Sequence, residues 1–115
     1  MAQLINQSKN KTIFKTVESA TSFKSRLLGL IGTKSLPKDK AICFPKCNWI
    51  HTFFMSMPID VIYLDKAMRV TKIEKQLPPW RLPAPVLSAR TVVESAAGVL
   101  NPNIIEVGDL LYVGD

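Results

Sequence analysis

Apolar positions along this chain follow two periods, and each period predicts its own elements. Residues 11–17 (Lys-Thr-Ile-Phe-Lys-Thr-Val) are β-branched and aromatic and predict a first strand. Beyond them Phe23, Leu27, Leu28, Leu30 and Ile31 recur at three- and four-residue spacing, the period of an amphipathic helix. Thr21 can cap that helix and Gly32 can end it, so the pattern predicts one main helix over about residues 21–31. Residues 41–44 predict a short strand, broken by Pro45-Lys46-Cys47-Asn48. Residues 52–55 and 59–65 predict two more, parted at Met57-Pro58. In the second, Ile59, Val61 and Tyr63 point one way while Asp60, Ile62 and Leu64 point the other. A strand apolar on both faces belongs inside a sheet or barrel. After a short turn at Asp65-Lys66-Ala67, residues 68–74 predict the return of a hairpin.

Residues 77–85 hold four of the eight prolines and predict a stiff extended loop, with Trp80 packed onto the body. Residues 89–94 predict a strand, 96–100 a single helical turn, and 104–113 a last strand interrupted at Gly108-Asp109. Residues 1–10 are polar and predict a flexible N-terminal segment ahead of a single globular domain over 11–115. The elements together predict an α+β, mostly β fold: a small compact barrel-like or sandwich-like sheet of short strands with one main helix.

Composition narrows the class. A length of 115 residues, 47% hydrophobic and 21% charged, is that of one soluble domain. No apolar run approaches the roughly 20 residues of a membrane-spanning helix. The first residues lack the basic start and apolar stretch of a signal peptide, which predicts a cytoplasmic address. The net charge of +6 is uneven: residues 1–40 carry eight basic against two acidic side chains, and the remainder sums to zero. Such a field can steer anionic partners. No basic block or nucleic-acid-binding motif accompanies it, which weighs against a nucleic-acid partner.

Candidate chemistry is sparse. Cys43, Cys47 and His51 are spaced by four, but Pro45 interrupts any helix that would align them, and no second thiol pair or second histidine completes a zinc set. They are weak metal candidates, and no cofactor is expected. His51, the only histidine, could act as a general base, and a Cys47–His51 pair could make a thiolate nucleophile. Asp60 sits in an apolar strand and must be satisfied by backbone N–H groups or by a base such as Arg26. Glu94 raises the same question on its own strand.

Several motifs resemble one family. Arg26 and Leu27-Leu28-Gly29-Leu30 resemble an Arg-X-X-Gly-Leu signature, and Ile50-His51-Thr52-Phe53-Phe54-Met55 with Pro58-Ile59-Asp60-Val61 resembles a central motif. Val93-Glu94 with Ala97-Gly98, and the closing Gly108-Asp109, complete the order. Together they resemble the prokaryotic family catalogued as domain of unknown function 192, over roughly residues 12–113. Ser95-Ala96 departs from the Leu-Pro common there. The resemblance implies a compact β-rich domain with one helix and no established reaction. It places the recurring polar residues at Arg26, His51, Asp60, Glu94 and Asp109. These, with Trp49 and Trp80, are the candidate pocket residues. The resulting expectation is a non-enzymatic binding or accessory domain with a pocket near His51 and Asp60, serving a small molecule or protein partner. The alternative is a metal-assisted or acid–base enzyme using His51 with Asp60 or Cys47.

Overall fold

The computed structural model describes residues 2–20, 36–52 and 56–114. The helix expected over 21–31 and most of the strand expected over 52–55 lie outside the described residues. Eight strands form: β1 (Gln3–Asn6), β2 (Lys11–Phe14), β3 (Thr16–Ser19), β4 (Lys40–Pro45), β5 (Ile59–Leu64), β6 (Val70–Leu77), β7 (Thr91–Ala96) and β8 (Leu111–Gly114). Among the described residues no helix occurs. The strands make two open sheets, β2-β1-β8 and β3-β4-β7-β5-β6, and no closed barrel forms among the described residues.

The N-terminal segment is part of the fold and does not hang loose over its whole length. Leu4 and Asn6 are fully buried, and β1 is the central strand of the small sheet, antiparallel to both neighbours. The polar look of this segment misleads because Asn6 is satisfied inside. Its Nδ2 donates to the Ile104 carbonyl (2.9 Å) and to Asp109 Oδ2 (2.8 Å). The strand expected over 11–17 splits at Lys15 into β2 and β3, which enter different sheets. β3 lies parallel to β4.

β5 follows its alternation. Every residue is buried, and the strand lies between β6 and β7. Ile62 and Leu64 join a core shared by both sheets, with Leu4, Phe14, Cys43, Val93 and Leu111. Ile59, Val61 and Tyr63 join a second core on the other face, with Phe44, Val92 and Ala89. The expected hairpin return at 68–74 is realised two to three residues later as β6. Its turn is held by Asp65, whose Oδ1 accepts the N–H groups of Ala67 (2.9 Å) and Arg69 (3.0 Å).

Two expectations near the C-terminus fail. Residues 96–100 end β7 and turn at Gly98, whose φ of 84° winds the chain the wrong way for a helix. Of residues 104–113, only the last three lie in β8, because Asn101 and Asp109 draw 101–109 into successive turns.

Candidate ligand site on the five-stranded sheet

The second core covers one face of the large sheet, and Glu94 sits in the middle of it. Strand register sets a row across that face: Glu74 on β6, Val61 on β5, Glu94 on β7 and Ile42 on β4. The next row carries Tyr63, Val92 and Phe44. Side chains at alternate strand positions share a face, so Glu94 and Tyr63 are diagonal neighbours amid apolar groups.

Glu94 is 5% exposed, and no group among the described residues donates to its carboxyl. Burial alone pushes that carboxyl up to about 8. At neutral pH it is therefore mostly protonated and offers a donor as well as an acceptor. The Tyr63 hydroxyl is buried on the same face without a hydrogen-bond partner. Burial pushes this hydroxyl up, and the nearby acidic groups of Glu74, Glu94 and Cys47 push it the same way. Unpaired buried polar groups are rare because each costs about 1–3 kcal/mol. Such a hydroxyl and a protonated carboxyl on one apolar face can hold a ligand that brings its own hydrogen-bonding groups, or can exchange a proton with one.

The other candidates fall elsewhere. Asp60 is 1% exposed, and its carboxylate accepts the N–H groups of Gln76 (2.8 Å), Val99 (3.0 Å) and Leu100 (3.1 Å). It points to the shared-core side of β5, opposite Val61, and pins a bulge in β6 and the turn after β7. Asp109 accepts Asn6 Nδ2 and the Glu106 N–H (2.9 Å). Partial desolvation works against its charge, but these hydrogen bonds and Lys9 outweigh that and hold its carboxyl below the usual range. Arg26 lies outside the described residues.

Cys43 packs in the shared core and Cys47 against the second core, so the sheet lies between the two thiols. Both are free, and burial pushes the Cys43 thiol up. Among the described residues no three His, Cys, Asp or Glu side chains group as metal ligands.

His51 is exposed. It belongs to a segment that pairs irregularly with residues 78–90, and Thr52 is its anchor. Thr52 Oγ1 donates to Pro78 O (2.7 Å) and accepts the Arg81 N–H (2.7 Å), while its carbonyl accepts the Trp80 N–H (2.8 Å). Trp80 is 57% exposed and takes a φ of 62°, so its ring is not buried in the body as expected. Trp49 is 51% exposed, with its indole N–H on Pro83 O (2.7 Å). Ile50, Cys47 and Val86 of this ribbon pack on the second core, which makes the ribbon one border of the Glu94 face.

Sequence reasoning singled out Glu94 but missed Tyr63 and Glu74. The available signal was parity: Tyr63 lies two residues from Val61, on the same side of its strand. The basic excess of residues 1–40 is partly neutralised, since Lys9 pairs with Glu106 and Asp109. Among the described residues no helix is long and apolar enough to cross a membrane.

Comparison with known proteins agrees with the motifs. A UPF0127 protein of Pyrococcus horikoshii is 36% identical over 113 residues, which is 92% of this chain and 94% of that one. A UPF0127 protein of Thermococcus kodakarensis is 34% identical over 112 residues, covering 94% and 71%. A solved protein of unknown function from Novosphingobium aromaticivorans matches with a TM-score of 0.79 at 20% identity, over 96% of this chain and 82% of that one. A likeness at that identity shows a shared fold alone. The family model described as Uncharacterized ACR, DUF192, matches residues 4–113, and with relatives above 30% identity over most of the chain, the protein belongs to the DUF192 family.

Proposed function

We propose that the protein is a non-enzymatic binding domain for a small molecule, and that Glu94 and Tyr63 form its recognition pair. The observation that carries this reading is the Tyr63 hydroxyl, buried without a partner on an apolar sheet face that also carries the buried Glu94 carboxyl. The ligand they suit has an apolar body and an uncharged polar head, such as an amide or hydroxyl, able to hydrogen-bond a protonated carboxyl and a phenol. His51, Trp49 and Trp80 border this face from the ribbon. Both cysteines are free, which suits the reducing cytoplasm as the location.

Solvent extraction of freshly purified protein, read by mass spectrometry, tests the reading. A stoichiometric small molecule present in the wild type and absent from a Tyr63→Phe, Glu94→Met variant is the expected result. An extract that is empty, or identical for both proteins, contradicts it.

The enzymatic alternative loses a partner, because the oxygens of Asp60 are committed to backbone N–H groups. Its surviving form places acid–base chemistry on Glu94, whose raised affinity for a proton suits a general acid.

A further inference from the structure

We propose that the ribbon of residues 46–52 and 77–90 docks the domain on the surface of an anionic lipid bilayer. The inference is independent of the ligand reading and rests on exposure, charge and rigidity.

Four large apolar side chains stand out of this ribbon: Trp49 at 51%, Trp80 at 57%, Leu82 at 55% and Leu87 at 80% exposed. Single exposed apolar residues are ordinary, whereas several on one short feature mark an interaction surface. Hydrogen bonds bring them together. Cys47 N–H donates to Arg90 O (3.0 Å), Val86 N–H to Asn48 O (2.9 Å) and the Trp49 indole to Pro83 O (2.7 Å). The Arg90 guanidinium holds the Leu87 carbonyl (2.9 Å), fixing the most exposed of the four.

The charge is of one sign. Residues 46–52 and 77–90 contain no Asp or Glu, while Lys46, Arg81 and Arg90 are all exposed. Apolar side chains that sit at the headgroup level, ringed by cations, are the signature of a surface that lies in the bilayer interface. Four prolines and the cross-ribbon bonds hold this shape before docking, so little ordering entropy is spent on contact. Nucleic acid is the poorer fit. Tryptophans could stack on bases, but Leu82 and Leu87 have no such use and gain only by leaving water for an apolar phase.

The chain's only two tryptophans both lie on the ribbon, so intrinsic fluorescence reports the event directly. The full chain is mixed with vesicles of phosphatidylcholine alone, or of phosphatidylcholine with phosphatidylglycerol, and followed by co-sedimentation and emission. We expect sedimentation and a blue shift with the anionic vesicles only, weakening as salt rises. A Leu82→Ser, Leu87→Ser variant, which keeps both tryptophans and alters only exposed side chains, should bind at least about tenfold more weakly. No sedimentation with anionic vesicles overturns the proposal, as does binding without a tryptophan shift. Equal binding by the double variant also overturns it, since general charge attraction would then suffice. A homopolymeric RNA bound while vesicles are not would reassign the surface to nucleic acid.

Discussion

Asp60 and Glu94 are both carboxyls buried in neighbouring strands, yet they play opposite parts. Asp60 has three backbone donors, and Glu94 has none among the described residues. Replacing Asp60 with Ala would strand three N–H groups, so we predict a loss of about 3 kcal/mol in urea denaturation. For Glu94 the sign reverses. Its folded pKa of about 8 lies above the ordinary carboxyl value of 4.5, so the stability it contributes is full below about 4.5. That contribution is lost as pH rises toward 8, because the fold must then hold a charge it cannot pair. Stability should therefore fall between about pH 5 and 8 by up to about 1.4 kcal/mol per unit, and Glu94→Gln should flatten that slope. Asp109, with its pKa lowered, acts in the other window: its contribution is present above the ordinary carboxylate range and is lost as acid protonates it. Which buried acid would be satisfied was not legible in the sequence. Asp60 finds its donors at Gln76, Val99 and Leu100, and only the folded chain brings those together.

At the level of elements, alternation was the most readable signal. The two-sided apolar pattern of residues 59–64 gave the position of β5 and the face of each side chain, because parity leaves a buried strand no freedom. What failed were the places where one residue redirects the chain. Lys15 divides a continuous β-branched run between two sheets, and nothing in its local composition marks that bend. Gly98 turns left at φ 84° where small residues suggested a helical turn. A Cβ there meets no neighbour within 4 Å, so Gly98→Ala should cost only the backbone strain, about 1 kcal/mol by thermal denaturation. The exposed ribbon was legible as a proline-stiffened loop, but not as paired with residues 47–52. That pairing runs through the buried Thr52, not through a regular ladder.

For the whole molecule, the arrangement of two cores decides which chemistry is available. The large sheet separates Cys43 from Cys47 and directs Asp60 away from the face that carries Glu94. The sequence places Cys43, Cys47 and His51 close along the chain, but β4 ends at Pro45 and Lys46 turns the chain at φ 55°, so Cys47 packs on the other core. The family motifs were readable over nearly the whole chain, whereas the recognition pair needed the sheet register, which sets β5 beside β7. The claim that this pair exists for a ligand, at the expense of the empty fold, is tested most directly by the stability of the Tyr63→Phe, Glu94→Met variant against the wild type. In ligand-free protein at pH 7, denatured with urea, the variant should be more stable by about 1–3 kcal/mol, since it removes an unpaired buried hydroxyl and a carboxyl that burial disfavours. A variant less stable than the wild type would mean that Glu94 and Tyr63 hold the fold together, and would contradict their assignment to a binding site.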